Sequence, residues 1–158
     1  MVDYKKLLKE LEEQERTLQF TKFTNDMALE LGLEIIGKAK KEGKAITVDI
    51  TRNGHQLFHY SCEGTCMDYD QWIIKKNNFV NRCNKSSFHI GTILRQRGTT
   101  VEEEYLVSSL DYSPNGGAFP ITIKNVGVVG TITISGLPQE QDHQMAVDCI
   151  KGYLENHS

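Results

Sequence analysis

The sequence predicts a single α+β domain in which helices cover an antiparallel sheet. Three observations carry that expectation: two pairs of alternating segments, within 45–61 and 119–135, read as hairpins; amphipathic helical stretches lie before, between and after them; and no glycine-rich phosphate-binding turn of the parallel folds occurs. With 158 residues, 39% of them hydrophobic and 25% charged, the chain suits one domain that needs no disulfide or metal to fold.

Each element has a local reason. Tyr4, Leu7, Leu8 and Leu11 recur at helical spacing, predicting a short amphipathic helix over 3–16 with an acidic outer face. This N-terminal helical arm, residues 1–16, is set apart from a domain spanning 17–158. Asn25 is a suitable N-cap for a second helix that runs to about Lys41, with Ala28, Leu31, Ile35 and Ala39 inward and Gly43 as its stop. Over 45–52, Ile46, Val48 and Ile50 alternate with Thr47, Asp49 and Thr51, the pattern of a half-buried strand. Asn53-Gly54 tolerates the positive φ of a tight hairpin turn and leads into the strand HQLFHYS. A third helix begins near Asp68 or Asp70 and carries Trp72, Ile73, Phe79, Val80 and Cys83; a fourth is capped by Ser86 or Ser87. Arg95 to Glu104 is charged and poorly patterned, and a turn-rich connection follows to Gly117. Phe119, Ile121 and Ile123, then Val128, Gly130, Ile132 and Ile134, mark two more strands. After Gly136 and Pro138, the spacing of Ala146, Cys149, Ile150, Tyr153 and Leu154 predicts a last helix facing the sheet.

Composition narrows the function classes. A net charge of -3 and a pI near 6.0 disfavour a general nucleic-acid binder. The local clusters Lys75, Lys76 and Arg82, and Arg95 with Arg97, read as solvated helix faces. No apolar run approaches the length of a membrane span, and the charged N-terminus lacks a secretory pattern, so a cytoplasmic protein is expected. Cys62, Cys66, Cys83 and Cys149 are scattered. Cys62 and Cys66 lack a second pair at zinc spacing, so thiols are expected, with a redox pair as the alternative.

Three blocks, DMALELGLEIIGKAKKEGKAITVDITRNGHQLFHYSCEGT, DYDQWIIKKNNFVNRCNKSS and GGAFPITIKNVGVVGTITISGLPQEQDH, occur in order between Phe23 and Leu154. Together they resemble the haem-degrading-domain family, which includes GlcG-like and haem-binding HbpS-like proteins, in its uncharacterised protein family 0303 branch of bacteria and fungi. The resemblance implies a five-stranded antiparallel sheet flanked by helices, akin to profilin-like and cobalamin-enzyme C-terminal domains, with Leu18 to Thr21 as the fifth strand. It also implies a homo-oligomer and haem as the cofactor to test. Two functions stay open under it. One is haem binding or degradation; the other is a non-catalytic oligomeric adaptor, since a fungal relative is linked to tail-anchored protein insertion. The family often has His before its Gly-Gly pair, where this chain has Asn115.

The residues themselves carry no nucleophile elbow, H-E-x-x-H or catalytic triad, so enzymatic activity is left open. Asp142 and His143 are neighbours on a helix, about 100° apart, and so cannot form a dyad by spacing. The expected ligand site is the loop with Gly116 and Gly117, the turn Ser135-Gly136-Leu137 and the helix start at Asp142 and His143, where free N–H groups favour an anion. Phe119 and Pro120 would form its apolar wall, with Trp72, Lys75 and Lys76 arriving from the third helix, across a subunit boundary in an oligomer. The competing expectation is that these glycines only shape turns and His143 only packs. His59 and His89 are the candidate haem ligands.

Overall fold

The computed structural model describes residues 1–157. In chain order the elements are α1 (Tyr4–Thr17), α2 (Asn25–Lys41), β1 (Thr47–Arg52), β2 (His55–Ser61), α3 (Met67–Cys83), α4 (Ser87–Arg97), α5 (Val101–Tyr105), β3 (Ala118–Ile123), β4 (Gly127–Ser135) and α6 (Gln139–Asn156). The sheet has four strands in the order β2-β1-β4-β3, every neighbouring pair antiparallel. The α+β class is as expected; the fifth strand is not. Leu18 to Thr21 contributes one parallel bridge, in which Phe20 N–H donates to Thr122 O at 2.8 Å and Lys124 N–H donates to Phe20 O at 2.9 Å. The backbone bends at Leu18 and at Thr21, so the pairing does not extend beyond Phe20.

Caps correct two boundaries. Thr24, not Asn25, caps α2, its hydroxyl oxygen accepting from Met27 N–H at 3.1 Å. The stretch from Arg95 to Glu104 is not unpatterned: α4 runs on to Arg97 and stops at Gly98 in the left-handed region, and Thr100 caps α5 by accepting from Glu103 N–H at 3.2 Å. The spacing Thr100-x-x-Glu103 is itself a capping signal.

One face of the sheet is apolar. Val48, Ile50, Ile132, Ile134, Phe119 and Ile121 pack against Leu31, Ile35 and Ala39 of α2 and Ala146, Ile150 and Tyr153 of α6. The opposite face is also covered, which overturns the half-buried reading of β1. Thr47, Asp49, Thr131 and Thr133 are all under 4% exposed, because α3 lies across them. Three of the four have internal partners: Thr133 hydrogen-bonds Asn77 of α3, Thr47 Oγ1 donates to Ser61 Oγ at 3.2 Å, and Asp49 accepts from Thr51 at 2.8 Å and from Gln56 at 2.7 Å. Alternation alone cannot separate a solvated polar face from one roofed by a helix. Beyond α3, Phe79, Ile90, Leu94 and Val101 form a second small core, with Tyr105 and Tyr112 edge-on to Phe79.

α1 packs along α4 of its own chain. Glu15 fixes its end, accepting from Ser86 N–H at 2.9 Å and meeting His89 Nδ1 at 2.9 Å.

Candidate functional site

Where α3, the end of β4 and the start of α6 converge, they leave a cleft of about 280 Å³. Trp72 and Lys76, one turn apart on α3, form one side; Ser135, Gly136 and Leu137 form the turn opposite, with Gln139 and Asp142 from α6. The turn is tight because Gly136, at φ +138°, sits where a Cβ would lie 2.6 Å from Ala45 O. α6 then opens at Pro138 without a side-chain cap; Gln141 and Asp142 N–H both donate to Pro138 O, at 2.8 and 3.0 Å, so the uncapped first-turn donors are those of Gln139 and Glu140.

The floor holds a buried ion pair. Lys76, 4% exposed, donates from Nζ to Ile134 O at 3.2 Å and to Asp142 Oδ2 at 3.3 Å, while Asp142 Oδ1 accepts from Leu137 N–H at 3.0 Å. Burial pushes the Asp142 carboxyl up to about 6 against the pull of Lys76. Burial also lowers the Lys76 ammonium, with Asp142 opposing. An ammonium has three N–H donors, and two are accounted for.

The expected site residues separate into two groups. Trp72, Lys76, Ser135, Gly136 and Asp142 line the cleft together. Lys75 stands beside it, its Nζ 5.0 Å from the centre of the Trp72 ring. Gly116 and Gly117 are close behind but serve packing: a Cβ on Gly116 would lie 2.4 Å from Gln139 O, and one on Gly117, at φ +139°, 2.2 Å from Ile134 O and 2.8 Å from Lys76 Nζ. Phe119 and Pro120 are buried on opposite faces of β3 and do not wall the cleft. Both sheet faces are covered, so neither side chain reaches an open site. Trp72 and Leu137 supply the apolar surface instead.

His143 is also turned away. Its ring packs 4.9 Å from that of Phe88, and Nε2 meets Gln14 Oε1 of α1 at 2.8 Å. A carbonyl oxygen only accepts, so Nε2 carries the proton and the buried, unpartnered Nδ1 holds the lone pair. Burial pushes the imidazolium down to about 4. The two candidate haem ligands lie outside the cleft as well. His89 is 2% exposed and turns Nδ1 to Glu15. His59 on β2 turns Nδ1 to Asp49 at 3.1 Å, and its Nε2 lies 2.9 Å from Asp70 Oδ1, close in charge but poorly aligned as a hydrogen bond.

Four lining residues escaped the sequence reading: Asp68, Tyr69, Asn115 and Gln139. Asp68 accepts from Trp72 Nε1 at 3.2 Å, a pairing its i,i+4 spacing could have suggested. Gln139 accepts from Gly116 N–H at 3.0 Å, a long-range contact with no local signature. Among the described residues no group of three or more His, Cys, Asp or Glu side chains is placed to hold a metal ion. All four cysteines are free, and among the described residues no helix is long and apolar enough to cross a membrane.

Comparison with known proteins places this geometry in a family. The chain is 42% identical over 145 residues to a UPF0303 protein of Streptomyces coelicolor, covering 92% of each chain. Its fold matches the crystal structure of the Ybr137w protein with a TM-score of 0.87 and 34% identity, over 94% of this chain and 88% of that one. The crystal structure of a PduOC:haem complex shares the fold at a TM-score of 0.63 and 17% identity, over 77% of this chain and 87% of that one. The sequence profile of the haem degrading protein HbpS-like family matches residues 23–151, and the chain belongs to that family.

Proposed function

We propose that this protein is a binding domain that takes a small planar or anionic ligand in the cleft between α3 and the start of α6. The carrying observation is Lys76, an ammonium held buried at the cleft floor beside a helix start without a side-chain cap, with one N–H left over. Trp72 offers an aromatic face to a planar group, and Lys76 with the early N–H groups of α6 offers donors to a carboxylate. The family's description and the haem complex of PduOC make haem the first compound to test. An iron held by an axial histidine does not fit this cleft, because no histidine lines it and about 280 Å³ is small for a whole tetrapyrrole. The residues present suit a carboxylate-bearing planar molecule, or one acidic edge of a larger one whose rings remain outside.

Trp72 is the sole tryptophan, so its fluorescence reports on the cleft. Titrated haemin should quench it saturably, and Lys76→Met should weaken that binding about tenfold, the worth of one charge-assisted hydrogen bond. His59→Ala and His89→Ala should leave it unchanged. Quenching that never saturates, or that ignores Lys76→Met, would remove the cleft reading.

A homo-oligomer is proposed alongside. Leu29 and Leu33, one turn apart on α2, are 49% and 57% exposed, an apolar pair suited to an assembly interface. Light scattering should give more than a monomer's mass, reduced by Leu29→Glu with Leu33→Glu. A monomer in the unaltered protein would end this proposal and leave the cleft reading standing.

A further inference from the structure

A second groove, more voluminous than the cleft, lies at the other end of the molecule. It measures about 430 Å³ and is floored by Phe20, Met27, Tyr153 and Leu154, with Lys22 and Lys124 at its rim. Among the described residues no carboxylate lines it, although the chain as a whole is acidic.

The groove borders an open sheet edge. In its parallel bridge Phe20 turns both its N–H and its C=O toward β3, so the backbone groups of Gln19 and Thr21 point the other way. Among the described residues those groups make no hydrogen bond. Gln19 and Thr21 both line the groove. Free donors and acceptors on Gln19 and Thr21, one to each side of the bridge and beside an apolar trough, can receive a short added strand, the backbone giving affinity and the trough selecting side chains.

We infer that this edge binds an extended peptide segment of a partner protein, with an apolar side chain seated over Phe20, Met27 and Leu154 and carboxylates reaching Lys22 and Lys124. Charge argues for an acidic partner over a second copy of this chain. Two copies joined through the same edge would set Lys22 and Lys124 against their own counterparts. At the opposite edge, β2 also has an unpaired side, but the hollow beside it is smaller, about 240 Å³, and mixes Lys40 and Lys44 with Glu63.

The test is selection of a random heptapeptide phage library on the full-length protein, followed by fluorescence anisotropy with the selected peptides. The expected result is enrichment of sequences that alternate apolar residues with Asp or Glu. Binding should fall at least tenfold when alternate peptide amides are N-methylated, and at least tenfold in the Lys22→Glu, Lys124→Glu double variant. Thr21→Pro, which removes one outward N–H, should weaken binding without a large change in melting temperature; if it unfolds the chain, the N-methylated peptides still decide the question. No enrichment, enrichment without the acidic pattern, or affinity that survives N-methylation would each overturn the inference. So would saturable dodecanoate binding without peptide binding, which assigns the groove to a small amphipathic anion. A dimer that Lys22→Glu and Lys124→Glu strengthen would likewise overturn it by giving the edge to a second copy.

Discussion

Replacing Lys76 by methionine should destabilise the fold by an amount that depends on pH. In the folded chain the Asp142 carboxyl stands at about 6 against 3.8 in an ordinary setting. The folded state therefore holds more protons than the unfolded one between those values, and stability falls as pH rises through that window. By pH 7 the shift represents a standing cost on the order of 3 kcal/mol, at roughly 1.4 kcal/mol per unit. Lys76 restrains that shift through both its charge and its hydrogen bond, so its loss moves the upper end of the window higher. Near pH 5 the carboxyl is mostly protonated in either folded protein, and the two should differ only by a constant packing offset. Above about 6 the gap should widen by up to about 1.4 kcal/mol per pH unit until the variant's own carboxyl ionises. Urea titrations at about pH 5 and 7.5, followed by far-ultraviolet circular dichroism, measure the difference directly. Adding Asp142→Leu should close most of the widened gap, since a buried pair replaced as a whole is near neutral whereas half of one is costly. An equal loss at both pH values, or additive single losses in the double variant, would refute the reasoning.

Three further outcomes follow from the same region. Gly117→Ala should cost more than about 2 kcal/mol in urea titration, since both its φ of +139° and the 2.2 Å approach to Ile134 O forbid a Cβ; a loss under half of that would show that the strand end can shift. Glu15→Ala should cost about 1–3 kcal/mol by orphaning Ser86 N–H and His89, and limited proteolysis should then cut within α1 sooner. For His143 the sign is opposite to that of Asp142. Its value falls from 6.5 to about 4, so the folded state binds fewer protons, and the contribution is full above 6.5 and lost as pH falls toward 4. His143→Phe should therefore make stability less sensitive to acid over that range, and a variant as acid-sensitive as the parent would contradict the assignment.

The apolar half of the fold was readable because periodicity reports it directly. Val48, Ile50, Ile132 and Ile134 alternate, and Ala146, Ile150 and Tyr153 recur at helical spacing. The polar half was not. Thr47, Asp49, Thr131 and Thr133 look like a wet face, and only the position of α3, a tertiary fact, shows that they are roofed. The cleft follows the same division. The Ser135-Gly136-Leu137 turn and the α6 start are local features, and Trp72 and Lys76 share a helix face, so all were nameable in advance. Asn115 and Gln139 join the cleft through long-range packing that leaves no mark in sequence. Phe119 and Pro120 adjoin Gly117 in sequence but not the opening in space, because strand alternation carries both into covered faces.

The strand order has a consequence for how the chain is made. β1 and β4, the first and last strands in sequence, are the central neighbours, paired from Thr47 with Ser135 to Arg52 with Gly130. Each hairpin can close locally within microseconds, but the halves join only when a loop containing α3, α4 and α5 has been closed, at an entropic cost that rises with its length. Docking of the hairpins should therefore limit the refolding rate. During synthesis the first hairpin waits on the ribosome for its partner, with the inner edge of β1 unpaired and Val48 and Ile50 uncovered by β4. The nascent chain is thus most exposed to edge-to-edge association just before its final strand and helix emerge.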